Sequence, residues 1–367
     1  MSISAAPAGR GAAAALRRRL ARLTLADVVL WTLRVLLLAL VVAGTVGTIL
    51  KGRYGAAQWV DFVVFGLTIG SIYAQIALGY TMVYGVLRLI NFAHGDIMMA
   101  GTFSGYFVAR AFDDSGFLGA HPVAAVLCIL AVSIAVSTGA AVLAERVAYR
   151  AFRHVRGLAP LITAIGVSFF IEQTFRGLFG SGVKSYPDLP WQNASVMLYG
   201  FSLPKNDLLV IGGAVLSMAV LYVVVHRTKI GTAIRAVSED VEAAALMGID
   251  ANRIVVFTFM LGGAMAGIAG VFYAFLFKQV YFYMGFTPGI KAFAAAVLGG
   301  IGSVPGAMIG GLLLGIVETV GPTLFFDGIG LPAPYQLRDL IAFTILIMVL
   351  IFRPNGLLGE RMAKQRA

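Results

Sequence analysis

Charged residues are scarce in this sequence. They make up 12% of its 367 residues, whereas 59% are hydrophobic, and the mean hydropathy is +0.90. A soluble globular protein carries about 25% charged residues. Charge is costly inside hydrocarbon, and apolar side chains need no protein core to cover them there. The composition therefore excludes an ordinary soluble domain and predicts a membrane protein.

Cysteine and acidic residues are also few. The single cysteine, Cys128, lies in an apolar run, which excludes an internal disulfide. Basic residues outnumber acidic ones by 28 to 17, which gives a net charge of +11. In a soluble protein this excess could indicate nucleic-acid binding. Here the basic residues cluster between apolar runs, as the positive-inside rule predicts for a membrane protein, so we expect no nucleic-acid partner.

Ten apolar segments divide the chain, and most have the length of a membrane-crossing helix. A crossing takes roughly 20 residues, so the segment at 290–302 is too short to cross alone. Backbone groups in lipid must bond internally, and the segments lack the strict alternation of an outer-membrane barrel. The sequence predicts an all-α polytopic protein with about ten transmembrane or half-membrane helices, near residues 28–50, 60–87, 89–112, 122–145, 159–179, 207–226, 254–277, 290–302, 306–326 and 336–352.

Basic clusters predict the orientation. A basic segment at 1–27 precedes the helix at 28–50, which is longer than the apolar region of a secretory signal and is therefore read as uncleaved. With ten crossings and a cytoplasmic start, every cluster falls on the cytoplasmic side of a bacterial-type inner membrane, and both termini are cytoplasmic. The clusters are Arg17, Arg18, Arg19 and Arg22; Arg146, Arg150, Arg153 and Arg156; Arg227, Lys229, Arg235 and Arg253; and Arg353, Arg361, Lys364 and Arg366.

Two segments interrupt the apolar pattern with glycine, proline or polar residues. Loosened backbone and polar side chains are tolerated at membrane depth only inside protein or facing water. Such interruptions in both halves of a transporter indicate its solute pathway. The alternative is a pair of tight interfacial turns whose small residues serve helix packing. We predict a translocation pathway or gate that contains Asn91, His94, Gly95 and Asp96 in the first segment and Gly299, Gly300, Gly302 and Pro305 in the second.

A more polar segment at 228–250 predicts a short amphipathic helix outside the membrane. Ser238 suits an N-cap, and Gly248 suits a C-terminal stop. The helix either inserts into the groove of a partner protein or lies on the membrane surface as a connector. The side chains able to insert are Val241, Ala244, Ala245 and Leu246.

Several stretches of the chain resemble one family of transport proteins. Glu242-Ala243-Ala244 followed by Gly248 is similar to the E-A-A-x-x-x-G loop of ABC importer permeases, which docks on an ATP-hydrolysing subunit. The resemblance extends over residues 58–360, so the helix at 28–50 looks like an addition to a permease domain. The stretches that resemble the LivH-type permeases of branched-chain amino-acid importers lie at 79–95, 235–270, 291–315 and 353–359.

The resemblance implies an ABC importer permease fold of the branched-chain amino-acid type within a larger assembly. The implied partners are a second permease subunit, two cytoplasmic ATP-binding subunits and an external solute-binding protein. The small-molecule cargo would be a branched-chain amino acid or a related small polar solute; urea, short-amide and aromatic-acid importers resemble the same motifs. The residues that would couple this chain to an ATP-binding subunit, within a cytoplasmic coupling loop at 228–250, are Glu242, Ala243, Ala244 and Gly248.

The sequence contains no catalytic constellation. It lacks the Walker A pattern G-x-x-x-x-G-K-[ST], so ATP hydrolysis is expected in a separate subunit. We find no metal-ligand cluster and no nucleophile–base arrangement, and we expect no cofactor. A channel and an ion-coupled secondary transporter remain as alternatives, the latter with Glu172 and Glu318 as candidate carboxylates. Glu172 is also expected to pair with Arg176, and Glu318 either forms a structural ion pair or lines the pathway.

Overall fold

The computed structural model describes residues 24–152, 155, 158–332, 334–353 and 356–359. Most of the predicted basic segment at 1–27 lies outside these residues. The same holds for several basic residues on which the predicted orientation rests, namely Arg17, Arg18, Arg19, Arg22, Arg153, Arg156, Arg361, Lys364 and Arg366.

Helices make up most of the described chain. Its α-helices are α1 (Leu25–Lys51), α2 (Ala56–Leu87), α3 (His94–Asp114), α4 (Phe117–Ala120), α5 (Pro122–Ala144), α6 (Ala159–Phe179), α7 (Lys205–Arg227), α8 (Lys229–Glu239), α9 (Val241–Leu246), α10 (Ala251–Phe277), α11 (Phe286–Gly299), α12 (Val304–Gly321) and α13 (Arg338–Phe352). The π-helices Glu145–Tyr149 and Pro322–Asp327 extend α5 and α12. Short 3-10 helices lie at Arg150–Phe152 and Pro334–Leu337. The strands pair antiparallel, β1 (Lys184–Ser185) with β4 (Gln279–Val280) and β2 (Ser195–Leu198) with β3 (Phe201–Pro204).

Seven helices in the described residues are long and apolar enough to cross a membrane. They are Val28–Lys51, Ala56–Leu87, Pro122–Phe152, Lys205–Arg227, Ala251–Phe277, Val304–Asp327 and Pro334–Phe352. α3 and α6 have 21 residues each but are too polar to be counted among them. α11, with 14 residues, is shorter than a span. The prediction of a mostly helical, multi-pass protein is confirmed, whereas the count of about ten crossings is not.

The described residues of Met1–Arg53 and Pro322–Pro334 form one compact unit. In this unit α1 lies against the second π-helix. Gly44 approaches the backbone of Phe325 so closely that a Cβ on Gly44 would overlap it. The Thr48 hydroxyl donates to two carbonyls of the π-helix at 3.1 Å each. α1 therefore gives the widened helix both close packing and a hydrogen-bond donor.

The described residues of Tyr54–Gly321 and Tyr335–Ala367 form the other compact unit, with α2 at its centre. α2 is buried without interruption from Thr68 to Val83, as expected for a helix that neighbouring helices surround. It meets α12 at Gly70 and Gly315, where a Cβ on Gly315 would overlap the Gly70 backbone. Small residues at a helix contact allow this close approach in a membrane.

α3 is fixed in this unit by α5 and α10. The Ser137 hydroxyl of α5 donates to the Ile97 carbonyl of α3 at 3.0 Å, and Gly101 one turn later leaves room for the same serine. The Ser133 hydroxyl donates to the Gly267 carbonyl of α10 at 2.9 Å. Serine hydroxyls that bond across helices and small residues that let backbones approach are typical of membrane helix packing. These contacts position the polar first turn of α3.

Candidate functional site

The first predicted segment begins where α2 ends. Arg88 adopts a left-handed backbone conformation, with φ of 55°, and stops the helix. Its guanidinium donates to the Ser238 carbonyl of α8 at 2.9 Å. Further along, Asn91 is buried, and its Oδ1 accepts a hydrogen bond from the Tyr149 hydroxyl at 2.6 Å. The Nδ2 of Asn91 has no hydrogen-bond partner among the described residues.

His94 and Asp96 lie in the first turn of α3, and both are buried. The His94 ring lies edge-on to Tyr80, with 4.9 Å between ring centroids, and occupies the space beside Gly79. The Ser168 hydroxyl of α6 donates to Oδ2 of Asp96, whose Oδ1 has no hydrogen-bond partner in the described part of the chain. A carboxylate in the first turn is favoured by the helix dipole. The structure thus gathers the polar side chains of the first segment at one buried helix start.

Gly95 lies between these two polar residues and serves a different purpose. A Cβ on Gly95 would overlap the Gly285 carbonyl, and the Cα of Gly289 lies just beyond it. Gly285 is the residue immediately before α11. The starts of α3 and α11 therefore meet backbone to backbone, and a side chain at Gly95 would force them apart.

The second predicted segment forms the tight connection between α11 and α12. Gly300 and Gly302 have φ values of 108° and 97°, a region that side-chain-bearing residues rarely adopt. Gly299 packs on Gly306, where a Cβ would overlap the carbonyl. Pro305 is the second residue of α12, a position where the missing N–H costs no helical hydrogen bond. The glycines here are required by the turn itself.

Residues 356–358 cover this connection. The Leu357 N–H donates to the Leu298 carbonyl and the Leu358 N–H to the Gly299 carbonyl, both at 2.9 Å. These carbonyls belong to the last turn of α11, whose carbonyls have no partner within the helix. Gly356 lies against the Gly300 backbone, where a Cβ would clash. Residues 357 and 358 therefore satisfy two of the last carbonyls of α11, a contact that the sequence did not predict.

The two predicted segments lie at opposite ends of α11. Gly95 contacts the residue before its first turn, whereas Gly299 is its last residue. Between the ends, Phe293 lies 5.9 Å from Tyr80 and 6.0 Å from Phe92, measured between ring centroids. The structure brings Asn91, His94, Gly95 and Asp96 together, and separately Gly299, Gly300, Gly302 and Pro305. α11 is the element that the two groups share.

A buried charge network is the feature of this unit that sequence reasoning missed. Lys291 of α11 lies 2.6 Å from Glu318 of α12 and 2.6 Å from Asp339 of α13. Arg338 approaches the same two carboxylates at 3.6 and 3.7 Å. The Lys291 and Glu318 side chains are only 3% and 2% exposed. Two bases balance two acids, so the network ties α11, α12 and α13 together without net charge.

The charge network decides between the two predicted roles of Glu318 in favour of a structural ion pair. A signal for it was present, because four of the five charged residues between 286 and 352 are its members, and they balance in sign. The predicted pair of Glu172 with Arg176 is wrong. Arg176 instead donates to Gln173 at 3.3 Å and lies over the Phe282 ring.

The loop at 228–250 contains two helices, α8 and α9, where one was predicted. Ser238 is not an N-cap; it lies inside α8, and its hydroxyl donates to the Arg235 carbonyl at 2.7 Å. Asp240 is the cap of α9 instead, because its Oδ1 accepts from the N–H groups of Glu242 and Ala243 at 2.9 and 3.0 Å. The N-cap of α9 is therefore the aspartate between the two helices and not the serine two residues earlier.

Gly248 ends α9 as predicted. Its φ of 83° is left-handed, and its N–H donates to the Ala245 carbonyl at 3.0 Å. The following N–H, of Ile249, donates to the Ala244 carbonyl at 3.1 Å. This pair of bonds is the Schellman motif, which satisfies the last carbonyls of a helix. The chain therefore makes a rigid corner between α9 and α10.

α9 presents an apolar tip away from the rest of the unit. Leu246 and Met247 are 89% and 83% exposed, whereas Ala244 is buried against this chain. Glu242 and Ala243 are exposed as well. Of the four side chains predicted to insert into a partner, Ala244 therefore faces inward, and Val241, Ala245 and Leu246 face outward.

Comparison with known proteins agrees with this architecture. A family model described as the permease component of branched-chain amino acid transport systems matches residues 62–350. The high-affinity branched-chain amino acid transport system permease protein BraD of Pseudomonas aeruginosa is 41% identical over 306 residues, covering 83% of this chain and 96% of BraD. The corresponding LivH protein of Escherichia coli K12 is 38% identical over 298 residues, covering 80% and 94%. The solved structure of PsaBC from Streptococcus pneumoniae is similar over 82% of this chain and 97% of its own, at 15% identity and with a TM-score of 0.44.

Seven membrane-length helices in the described part of the chain indicate a multi-pass membrane protein. The family model covers more than half of the chain, and both relatives exceed 30% identity over nearly their whole length. The chain belongs to the family of permease components of branched-chain amino acid transport systems, and the resemblance predicted from its motifs is confirmed. α1 lies outside the matched residues.

Proposed function

We propose that this chain imports a branched-chain amino acid, or a related small polar solute, as a membrane subunit of an ATP-driven transporter. The relatives named above are permease proteins of high-affinity branched-chain amino acid transport systems, which supports that cargo. ATP is hydrolysed by two separate ATP-binding subunits, a second permease completes the pathway, and an external solute-binding protein delivers the cargo. Urea, short amides and aromatic acids remain the alternative cargoes.

The proposed location is a bacterial-type inner membrane with both termini and α8–α9 in the cytoplasm. Basic residues flank the helix ends on this side, at Arg146, Arg150, Arg227, Lys229 and Arg253. An excess of arginine and lysine marks cytoplasmic loops. α3, α6 and α11 are polar or half-length membrane helices within a permease domain at 58–360. The helix at 28–50 is an addition to that domain. Polar helices are tolerated at membrane depth where they face protein or water.

The single observation that carries the mechanism is the connection from the exposed tip of α9 to the buried start of α3. Leu246 and Met247 form an apolar surface beside Glu242, suited to a groove of an ATP-binding subunit. Arg88 bonds the adjoining helix α8 to the end of α2, six residues before His94. Movement of the coupling loop is thereby passed to the polar turn at the proposed pathway.

The proposed pathway residues of the first segment are Asn91, His94, Gly95 and Asp96. Asn91 Nδ2 and Asp96 Oδ1 have no hydrogen-bond partner among the described residues, although both atoms are buried. Polar groups at membrane depth need a partner, and a polar solute passing between subunits is one. Gly299, Gly300, Gly302 and Pro305 act as a hinge that sets the other end of α11. Gly300 and Gly302 supply backbone conformations that other residues rarely adopt, Pro305 lies in the first turn of α12, and none of the four carries a polar side chain.

The test is uptake into vesicles that contain the complete assembly. Radiolabelled leucine should accumulate only when ATP, the ATP-binding subunits and the solute-binding protein are all present. Uptake driven by a sodium or proton gradient without ATP would establish a secondary transporter instead, and ATP-independent equilibration would establish a channel. Competition by unlabelled valine, urea, acetamide and benzoate then separates the cargo classes, since only a true cargo reduces leucine uptake.

A further inference from the structure

A basic cleft lies apart from the proposed pathway. It has a volume of about 500 Å³ and opens between the π-helix that extends α5 and the first turns of α10. Arg146, Arg150 and Arg253 line it. The volume falls within the range of small-molecule sites, about 300–1,000 Å³. Neither the proposed pathway nor the coupling helices contribute a side chain to it.

Positive charge in this cleft is largely uncompensated. Asp250 is the carboxylate among the lining residues, and it is already engaged, because its oxygens cap α10 and pair with Arg253 at 3.1 Å. Arg146 and Arg150, four residues apart, make no ion pair with a carboxylate in the described part of the chain. Two guanidinium groups are thus free to bind an anion, and guanidinium binds phosphate through paired N–H donors.

Apolar side chains continue the cleft toward the membrane interior. Val256 and Phe257 line its wall, and Phe257 follows Arg253 by one helical turn. On the other side, Leu143 and Val147 are 61% and 73% exposed and precede the two free arginines by three residues each. Both helices are spans. Leu143 lies three residues deeper than Arg146, and Phe257 four residues deeper than Arg253, which is about 5 Å along each helix, whereas Val147 lies between the two free arginines.

We propose that this cleft binds the headgroup of an anionic phospholipid, with an acyl chain along Phe257 and Leu143. The lipid phosphate bridges Arg146 and Arg150 at the membrane surface, and Arg253 closes the third side. Basic pockets between membrane helices bind anionic lipid headgroups in this way. The continuous apolar surface below the arginines favours a lipid over a soluble protein, which would leave that surface uncovered. Binding joins the end of α5 to the start of α10, next to the corner that follows α9.

The test is photo-crosslinking in the assembled transporter. A p-benzoylphenylalanine in place of Phe257 is activated in vesicles with equal amounts of phosphatidylglycerol and phosphatidylcholine. Mass spectrometry of this chain then measures the ratio of the two crosslinked lipids. Phosphatidylglycerol should be enriched, and Arg146→Gln and Arg150→Gln should each reduce the enrichment about fivefold, the effect of one basic residue at an anionic membrane surface. Arg146→Lys with Arg150→Lys keeps the charge and should retain most of it.

The matched control is Arg227→Gln with Lys229→Gln, which removes the same charge at the end of another span. Equal loss of enrichment in this control would overturn the proposal, because general surface attraction would then explain the result. A crosslink to a partner subunit in place of lipid would also overturn it, as would displacement of the lipid by soluble glycerol phosphate. The readout does not depend on transport, so its failure is distinct from failure of the proposed function.

Discussion

The buried charge network makes a quantitative prediction about stability. Lys291 is the centre of the network, with Glu318 and Asp339 each at 2.6 Å. Lys291→Met keeps the length of the side chain and removes its charge. Two carboxylates then face the single guanidinium of Arg338, which lies more than 3.5 Å from either of them. The substitution therefore leaves one net negative charge among α11, α12 and α13.

The expected cost follows from the burial of Glu318, whose side chain is 2% exposed. Removing one partner of a buried ion pair costs about 3–5 kcal/mol of unfolding free energy, because the remaining charge stays desolvated. The double variant Lys291→Met with Glu318→Met leaves only Arg338 and Asp339, which balance each other. Its stability should lie within about 1 kcal/mol of the unsubstituted protein, since apolar residues can replace a complete buried pair at little cost.

The assay is denaturant unfolding in mixed micelles for both single variants and the double variant, with leucine uptake measured in parallel. The double variant should be more stable than either single variant and should retain uptake. Additive losses in the double variant would refute the ion-pair reasoning. A double variant that is stable but fails to transport would show that Glu318 acts in the pathway, which contradicts its assignment as a structural residue.

Three further outcomes are expected. Glu242→Lys, and Gly248→Trp at its φ of 83°, should reduce both capture of the ATP-binding subunit and uptake about tenfold, the effect of 1.4 kcal/mol. Arg88→Gln should lower uptake without lowering capture, because its bond to α8 lies behind the docking surface. Gly356→Val should lower the unfolding temperature, because a Cβ there meets the Gly300 backbone. Unchanged capture, unchanged uptake and an unchanged unfolding temperature, respectively, would contradict these expectations.

The helical membrane fold was predictable because it follows from composition and segment length alone. The number of crossings was not predictable in the same way. α3 is as long as a span but carries His94, Asp96 and three more charged residues. Its own hydropathy therefore does not identify it as a membrane-crossing helix. Such a helix is stable at membrane depth only when other helices cover its polar side chains. A count of crossings from hydropathy does not include this effect of the neighbouring helices.

Local signals were read correctly where one residue decides the geometry. Gly248 ends α9 because a left-handed residue is needed there and glycine adopts that conformation without strain. The start of the same helix was misread because Ser238 and Asp240 both suit a cap. Thr228 is the N-cap of the preceding helix, α8, and this helix includes Ser238. Asp240 is therefore the N-cap of α9. Which of two possible cap residues is used depends on where the preceding helix ends. The residues around the cap do not show that end point.

Long-range contacts explain why only part of the candidate site could be predicted from the sequence. The residues of the first segment are neighbours in the chain, so their polarity was visible as one cluster. Tyr149 and Ser168, which bond Asn91 and Asp96, lie 58 and 72 residues away along the chain and carry no local mark. The contact of Arg88 with Ser238 spans 150 residues. Each depends on how α3, α6 and α8 pack.

In the proposed mechanism, that last contact links the loop at 228–250 to the polar turn at the start of α3. Arg88 ends α2 in a left-handed conformation, so the chain from there to α3 lacks the rigidity of a continuous helix. α8 is also held to α7, since the Arg235 guanidinium donates to the Val225 carbonyl at 2.8 Å. We therefore propose that a push on α9 moves α8 and reaches the turn through Arg88. The buried hydrogen bond between Tyr149 and Asn91 opposes this movement, because breaking it would leave a buried polar group unpaired at a cost in free energy.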